Sequence, residues 1–403
     1  MEPKIRFKGF EGEWKAPSIG EVFELRNGYT PSKAVNAFWE GGTIPWFRME
    51  DIRTNGGILK DAIQHITPLA VKGAGLFEKN SIILATTATI GVHAMLIADS
   101  LANQQFTNFR VRKSLSDSYI DNFLYYSFFN IDEWSKKNTN SGGLLSVNMP
   151  LLVKQPLYSP CKQEQQAIAS YFTSLDSQIS ASTSRLASLK QMKAASLQAM
   201  FPQEGETVPK IRFKGFEGEW KKVSFKDFTF HAGTKNRDNL PLESYSISNE
   251  FGFIPQNEQF ENGGTMTQAD KRMYYIVSPN SFAYNPARIN VGSLGYYEGK
   301  EDVIVSSLYE VFKTDDTICD KFLLYWFKTD IFQKMIEQFQ EGGVRLYFFY
   351  DKMCKCSLMR PSLAEQQAIA SYFTSLDRQI SLQSQRLEKL KQIKSACLDK
   401  MFV

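Results

Sequence analysis

Two sets of polar side chains interrupt the sequence, and their types suit hydrogen bonding to the edges of nucleic-acid bases. Arginine and lysine donate to guanine, whereas asparagine and glutamine bond adenine at two points. The first set comprises Arg26, Lys33, Arg48, Thr86, Thr87, Asn103, Gln104 and Gln105. The second set comprises Lys235, Asn236, Arg237, Asn285, Arg288, Asn290 and Arg345. These residue types make each set a candidate for base recognition. For any single residue, a solvated surface position or a turn is the alternative interpretation.

Thr86–Thr87 and Asn103–Gln105 are the most distinctive members of the first set. They interrupt apolar, strand-like sequence at positions where a residue with a purely structural role is usually more hydrophobic. This pattern favours a base-reading role over a structural one for these residues.

The sequence lacks the motifs of a catalytic chain. The stretch Gly295–Glu301 has one residue too few between its glycines for a phosphate-binding loop, and no Ser or Thr follows its lysine. The three histidines are far apart and belong to no nucleophile motif. Cys354 and Cys356 lack the second ligand pair that a zinc site requires. We therefore expect a non-enzymatic chain without catalytic residues, a metal site or a cofactor of its own.

The composition describes a globular protein of moderate charge. The chain has 403 residues, of which 43% are hydrophobic and 22% charged, which predicts two or three domains. A net charge of +4 permits nucleic-acid binding without requiring it. No apolar run approaches the roughly 18 residues of a membrane span, and Met1–Lys4 does not resemble a signal peptide. We expect a cytoplasmic protein that has no membrane partner.

Two blocks of sequence occur twice, letter for letter. Residues Pro3–Lys15 return as Pro209–Lys221, and residues Glu164–Asp176 return as Glu365–Asp377. The sequence between the blocks differs between the two halves of the chain. This arrangement predicts two modules with a common fold and different surfaces, carried on a repeated scaffold.

Both modules have the sequence pattern of an α+β fold. Short runs of β-branched and aromatic residues between Gly, Pro and Asn turns predict strands, and longer segments predict helices. The predicted strands are Thr43–Phe47, Ser81–Leu84, Arg272–Val277 and Val303–Val305. The predicted helices are Phe123–Phe129, Ile131–Lys137 and Asp320–Gln340.

Each copy of the longer block opens a segment of about 38 residues, roughly 57 Å of helix at 1.5 Å per residue. Apolar residues recur there in heptads, as in a coiled coil. The predicted seam of the first helix is Ile168, Phe172, Leu175, Ile179, Ser182, Leu186 and Leu189. The predicted seam of the second helix is Ile369, Phe373, Leu376, Ile380, Gln383, Leu387 and Leu390.

A seam of this length needs a partner, and the nearest candidate is the other helix. We predict an antiparallel pair in which the polar residues Ser182 and Gln383 meet at the middle, where a polar pair can fix the register. The alternative is two independent helices, each lying on its own module. At the start of the second helix, Ser362 and Glu365 have the spacing of a capping box.

The combination of these features resembles the specificity subunit of type I restriction-modification enzymes. The resemblance covers the whole chain. Its motifs are Arg-Phe-x-Gly-Phe-x-Gly-x-Trp, beginning at Arg6 and Arg212, and Glu-Gln-Gln-x-Ile-Ala-x-x-Phe-x-x-Leu-Asp, beginning at Glu164 and Glu365. The family implies two pseudo-symmetric target-recognition domains, each reading one half of a bipartite double-stranded DNA site. The two long helices would join these domains as a spacer.

The resemblance also implies partners that carry the chemistry. Two methyltransferase subunits would modify adenine in each half-site, and two restriction subunits would supply the motor and the endonuclease. S-adenosylmethionine, ATP and Mg²⁺ would then be bound by these partners, in agreement with the missing cofactor motifs.

We divide the chain into four segments. Residues 1–160 form the first recognition domain, 161–202 the first spacer helix, 203–361 the second recognition domain with the repeated block 209–221, and 362–403 the second spacer helix. Two other interpretations stay open: a scaffold or adaptor whose two modules bind proteins, and a remnant of a fused restriction-methyltransferase enzyme.

Overall fold

The structure of the chain is a computed structural model that describes residues 1–140, 143, 145–249, 251–259, 270–343 and 345–403. These residues form two compact units. Unit 1 consists of Met1–Thr183 together with Gln385–Val403, and unit 2 consists of Ser184–Ser384. Within the described part of the chain, no helix is both long and apolar enough to cross a membrane.

Unit 1 is a mixed helix and sheet structure. Its strands are β1 (Phe23–Asn27), β2 (Ile44–Phe47), β3 (Ile58–Leu59), β4 (His65–Ile66), β5 (Ile82–Ala85), β6 (His93–Leu96), β7 (Leu101–Ala102), β8 (Phe106–Val111), β9 (Thr139–Asn140) and β10 (Ser146–Val147). Its helices are α1 (Ile19–Val22), α2 (Met49–Asn55), α3 (Asp121–Lys137), α4 (Met149–Leu152) and the first half of α5 (Lys162–Ala199). The sheets have the orders β1–β8–β5–β6–β3 and β4–β2–β7, and β9 pairs with β10.

Unit 2 has the same kind of architecture. Its strands are β11 (Lys221–Ser224), β12 (Thr229–His231), β13 (Thr234–Lys235), β14 (Ser244–Ser248), β15 (Gly252–Pro255), β16 (Tyr275–Val277), β17 (Ser281–Tyr284), β18 (Leu294–Tyr297), β19 (Val303–Val305), β20 (Glu310–Thr314) and β21 (Ser357–Arg360). Its helices are α6 (Gln256–Gln259), α7 (Asp320–Trp326), α8 (Asp330–Phe339), α9 (Tyr350–Met353) and the first half of α10 (Leu363–Met401). The sheets have the orders β12–β20–β17–β18 and β13–β16–β19–β14–β15, and β11 pairs with β21.

The two modules share a four-stranded core. The order β1–β8–β5–β6 in unit 1 matches β12–β20–β17–β18 in unit 2, with antiparallel pairing throughout. Each module also contains a parallel pair, β2 with β7 and β14 with β19. The predicted common α+β fold of two pseudo-symmetric domains with two long helices is confirmed.

The core of unit 1 explains why these segments fold together. All four residues of β5 are buried, which accounts for its continuous apolar sequence. Phe23 of β1, Phe109 of β8 and Phe128 of α3 contact one another edge to face, with ring centroids 5.3–5.8 Å apart. These contacts pack α3 against the sheet, since aromatic rings prefer such tilted arrangements.

The predicted short elements are present with shifted bounds. The strand predicted at Thr43–Phe47 is Ile44–Phe47, and the strand predicted at Ser81–Leu84 is Ile82–Ala85. Val303–Val305 has the predicted bounds. The two helices predicted within 123–137 are one helix, α3.

Two predictions in unit 2 were wrong in part. Of the strand predicted over 272–277, only 275–277 is extended, because a 3₁₀ turn occupies Lys271–Met273. The helix predicted over 320–340 is two helices, which break before Asp330. At the break, the amide and the hydroxyl of Thr329 both donate to the carbonyl of Trp326, at 3.0 and 2.7 Å, so the chain turns more tightly than an α-helix.

The long helices run antiparallel within each unit. In unit 1, the first half of α5 packs against the last half of α10, and Asp176 pairs with Lys394 at 2.5 Å. In unit 2 the roles are exchanged, and Lys193 pairs with Asp377 at 2.5 Å. Every predicted seam residue is buried or half-buried. The meeting of Ser182 with Gln383 stays a prediction, because these residues belong to different units. The four linear segments proposed above also stay predictions.

Each long helix ends against a copy of the repeated block. In unit 1 the amide of Ile5 donates to the carbonyl of Lys400 at 2.9 Å, and in unit 2 the amide of Ile211 donates to Ala199 at 2.9 Å. The end of α10 therefore contacts the repeated block of unit 1, and the end of α5 makes the same contact in unit 2.

Candidate nucleic-acid interface

In unit 1, three strands end next to one another and bring much of the first polar set together. The amide of Asn103, which follows β7, donates to the carbonyl of Phe47 at 3.0 Å, so it lies beside Arg48 after β2. The amide of Thr86, which follows β5, donates to the carbonyl of Gln105 at 2.9 Å. Strand ends far apart in sequence thus form one polar surface.

The turn after β7 holds its side chains by internal hydrogen bonds. Asn103 accepts a hydrogen bond from the amide of Gln105 at 3.1 Å and donates to its side-chain oxygen at 3.2 Å. Gln104 is exposed, and its oxygen accepts from the hydroxyl of Thr30 at 2.5 Å. The turn presents a fixed amide, as direct base reading requires.

Two further residues border this turn. The guanidinium of Arg48 lies 3.1 Å from Glu50 and 5.9 Å from the centre of the Trp46 ring, which orients it at the start of α2. Thr87 is half-buried and bridges to Ser146 of β10. The structure therefore places three parts of the first set close together, namely Arg48, Thr87 and the turn 103–105.

Thr86 is a correction to the predicted surface. It is 6% exposed, and its hydroxyl lies 2.9 Å from that of Thr107. The hydroxyl of Thr107 in turn donates to Asn27 at 2.9 Å. Thr86 joins β5 to β8 inside the sheet, so we assign it a structural role.

Arg26 makes its contacts with a segment outside this group. Arg26 donates to the carbonyl of Ala74 and lies 4.7 Å from the centre of the Phe77 ring, and partial burial lowers its pKa. Its guanidinium therefore holds the segment before β5. Lys33 is exposed on the connection between β1 and β2.

In unit 2, the loop between β17 and β18 carries three residues of the second set. Asn285 accepts a hydrogen bond from the amide of Ala287 at 3.0 Å, which folds the loop and leaves Arg288 and Asn290 exposed. The carbonyl of Pro286 accepts from the amide of Phe348 at 3.0 Å.

That bond attaches the loop to a second segment, which begins after α8. Glu341 and Tyr347 exchange backbone hydrogen bonds at 2.9 and 2.8 Å, and Arg345 is exposed between them. The structure thus brings the β17–β18 loop next to the segment that presents Arg345.

The other members of the second set lie on a different sheet. Lys235 of β13 lies 3.5 Å from the centre of the Tyr275 ring and donates to the carbonyl of Met273 at 3.0 Å. Arg237 is exposed. Asn236 is a correction, because it is 1% exposed and its amide group bonds both the amide and the carbonyl of Leu240. It closes a turn and is not available to a base.

The repeated blocks contain paired interactions that the sequence prediction missed. Arg6 forms a two-point ion pair with Glu164, and Arg212 forms the same pair with Glu365. The carboxylate raises the pKa of each arginine, chiefly by accepting its hydrogen bonds. The sequence did contain a signal for these pairs. Both blocks occur unchanged in both halves of the chain, as expected if the two blocks contact each other.

The ion pair of Glu365 also explains why only one half of the predicted capping box of α10 is present. The amide of Glu365 donates to the hydroxyl of Ser362 at 3.3 Å, as predicted. The carboxylate of Glu365 bonds Arg212 at 2.7 Å, so it is engaged in the ion pair.

A second repeated contact braces each module against both long helices. In unit 1 the hydroxyl of Tyr126 donates to Asp176 at 2.8 Å, and Asp176 also pairs with Lys394. Burial, reinforced by the nearby carboxylate, raises the pKa of Tyr126. In unit 2 the corresponding brace is Tyr325, Asp377 and Lys193.

Comparison with known proteins identifies this architecture. A family model described as the type I restriction modification DNA specificity domain matches residues 11–191 and again residues 218–392. The chain belongs to this family. The two matches cover both modules and most of both long helices of this specificity-family protein.

Curated relatives match parts of the chain. The specificity subunit of the type I restriction enzyme EcoprrI from Escherichia coli is 47% identical over 153 residues, which are 38% of each protein. The MjaIX specificity subunit from Methanocaldococcus jannaschii is 30% identical over 171 residues, 40% of this chain and 38% of the relative. The specificity-family chain thus matches about two fifths of the length of these relatives.

Solved structures resemble the whole fold. The type I restriction-modification S subunit from M. genitalium has a TM-score of 0.59 and 14% identity, and the match covers 100% of this chain and 99% of that one. The HsdS subunit from Thermoanaerobacter tengcongensis has a TM-score of 0.50 and 15% identity, with 98% of both chains covered. At this identity the likeness concerns the fold of the specificity-family chain.

Proposed function

We propose that this chain is the DNA-recognition subunit of a type I restriction-modification complex and reads a bipartite site, one half with each unit. The observation that carries the proposal is the family match, which occurs once in each half of the chain. Two units on one scaffold are what a split target requires, because each half-site needs its own reading surface.

The two units differ where base readout would occur. Unit 1 offers amide groups after β7 together with Arg48, whereas unit 2 offers Arg288, Asn290 and Arg345 on two adjoining loops. Amide side chains suit adenine and arginine suits guanine, so the two units are suited to different sequences. The shared strand order supplies a common frame for both surfaces.

The proposal assigns the catalytic steps to partner subunits. Two methyltransferase subunits would modify adenine in each half-site, and two restriction subunits would join them for cleavage. S-adenosylmethionine, ATP and Mg²⁺ would be held by those partners, and the present chain would supply position and sequence choice.

Identical exposed residues in the repeats favour a partner that is present in two copies. Lys8, Gln166 and Ser170 are exposed in unit 1, and their counterparts Lys214, Gln367 and Ser371 are exposed in unit 2. Exposed positions are under little packing constraint, so their identity points to a common binding surface. Two methyltransferase subunits of one kind would meet this requirement.

The alternative is a scaffold whose two modules bind proteins. DNA binding through phosphates releases counterions, so the affinity falls steeply as salt increases. Titration of a duplex carrying the target site at several salt concentrations separates the two functions, since a protein scaffold would bind that duplex at none of them.

The test is co-expression of the chain with a type I methyltransferase subunit that forms a complex with it, in a host without adenine methylation. Single-molecule sequencing would then map methylated adenines. We expect one split motif with two defined halves and a fixed gap. A well-formed complex that methylates no such motif would contradict the proposal.

A further inference from the structure

His93 and Asp132 form a buried pair inside unit 1. Nδ1 of His93 lies 2.6 Å from a carboxylate oxygen of Asp132, and the two side chains are 2% and 10% exposed. The imidazole is enclosed by the rings of Tyr125, Phe128 and Phe129, whose centroids lie 4.7–5.8 Å away. A polar contact thus crosses an aromatic part of the core.

The pair does not contribute to core stability as an apolar contact would. Among the residues that the structure describes, Nε2 of His93 and Oδ1 of Asp132 have no hydrogen-bond partner. Buried polar atoms without partners lower stability, and apolar side chains of similar volume often replace buried pairs without loss.

Unit 2 shows that the fold does not require this pair. In the hairpin β5–β6, His93 lies opposite Leu84, and in the matching hairpin β17–β18, Leu294 lies opposite Tyr284. An apolar residue therefore occupies the corresponding place in the other module. A feature confined to one of two divergent modules points to what that module does differently.

The pair lies directly beneath the turn that connects β5 to β6. This turn carries Thr87 of the candidate surface, and His93 is the first residue after it. Gly91, with φ +73°, packs on the backbone of Asp132 so closely that an added Cβ would lie 2.5 Å from its carbonyl oxygen. Asp132 thus supports the turn through its side chain at His93 and through its backbone at Gly91.

We propose that the His93–Asp132 pair positions the Thr87 turn and thereby sets the sequence specificity of the half-site read by unit 1. The inference rests on the proposed function and adds the residues that fix one reading surface. His93 and Asp132 are positioning residues. Both are buried, so they act on a base only through the turn that carries Thr87.

The test uses the methyltransferase complex with a library of sites that carry single base changes in either half. The main variant is His93→Leu combined with Asp132→Leu, which removes the pair without leaving one partner buried alone. We expect this complex to methylate the original site, and to methylate sites altered in one half about tenfold more often than the unmodified complex does, the size of one lost base contact. Discrimination in the other half should not change, which a general loss of stability would not produce.

The conservative variant Asp132→Asn keeps an oxygen next to His93 and should retain discrimination in both halves. If the double variant does not fold, His93→Leu with Asp132→Asn tests the pair, because it removes the hydrogen bond and the charge but keeps the volume of Asp132. Unchanged discrimination in a folded form of either double variant overturns the inference. Absence of split-site methylation by the unmodified complex instead overturns the proposed function, and the inference with it.

Discussion

Arg6 and Glu164 lie 158 positions apart in the sequence and form two parallel hydrogen bonds, from Nε at 2.7 Å and from Nη2 at 2.8 Å. The glutamate side chain is 1% exposed. The pair fastens the short repeated block to the start of the long helix. Arg212 and Glu365 repeat it in unit 2 with both distances at 2.7 Å.

This geometry predicts strong coupling between the two residues. Arg6→Met would leave a buried carboxylate without its partner, whereas Arg6→Met with Glu164→Gln removes the charge as well. We expect the single variant to lower the unfolding midpoint more than the double variant, as measured by urea denaturation. Arg6→Lys should have a midpoint between those of the parent chain and Arg6→Met, because an ammonium group keeps the charge and cannot make the two-point contact. Equal midpoints for Arg6→Met and the double variant would contradict this account.

The Tyr126–Asp176–Lys394 brace predicts a smaller coupling. The side chains of Asp176 and Lys394 are 36% and 20% exposed, so solvent screens much of their attraction. A double-mutant cycle with Asp176→Asn and Lys394→Met should give a coupling free energy of about 1 kcal/mol or less. The same cycle at Asp377 and Lys193 is a matched control and should give a similar value. A coupling of several kcal/mol in one unit alone would show that the braces are not equivalent.

Single substitutions at the candidate surface should change one half-site at a time. Arg345→Ala removes an exposed guanidinium from unit 2, and we expect a loss of about 1–3 kcal/mol of discrimination at one base pair. Gln104→Ala should have a comparable effect on the half-site read by unit 1. Methylation of a randomised site library measures both effects. The surface variant Lys400→Ala, on α10, is the control and should alter neither half.

Glu310 predicts an unusual pH dependence of stability. Burial raises the pKa of this carboxyl above its ordinary value of 4.5, against the opposing effect of His231, 3.4 Å away. Because the folded pKa is the higher one, ionisation destabilises the fold, and stability falls as pH rises from 4.5 through the folded pKa.

Glu310→Gln should therefore be more stable, relative to the parent chain, at about pH 7 than at about pH 4. Glu24 is the contrasting control, since the hydrogen bond from Arg110 and the charge of that guanidinium lower the pKa of Glu24. Glu24→Gln should lose stability at about pH 7, and this loss should disappear as pH falls below the folded pKa of Glu24. Urea midpoints measured at both pH values test these two predictions. If both variants changed in stability with pH in the same direction, the raised pKa of Glu310 would be refuted.

Local periodicity made the long helices and their buried face predictable. The heptads that begin at Ile168 and Ile369 depend only on neighbours along the chain, and the helices span 38 and 39 residues. The short apolar runs around β2 and β5 were predictable for the same reason, with bounds shifted by one residue.

Side-chain bonds that break a helix, enclose a polar residue or join two repeats were not predictable from such patterns. The helix over 320–340 has continuous helical periodicity, and its break depends on Thr329 bonding a carbonyl in the preceding turn. Thr86 and Asn236 are polar and adjoin strands, but the packing of Thr107 and Leu240 against them decides that they are enclosed. The two-point pair of Arg6 and Glu164 joins blocks that the sequence presents only as separate repeats.

The division of each long helix between the two units has an evolutionary consequence. Unit 1 is completed by residues 385–403, which correspond in the repeat to residues 184–202, the last part of α5 and the three residues after it. A gene encoding only one block, one module and one helix would therefore produce a chain that cannot complete its own unit, and two such chains would complete each other by exchanging helix ends. The present chain has the organisation that would result if two such genes were joined end to end.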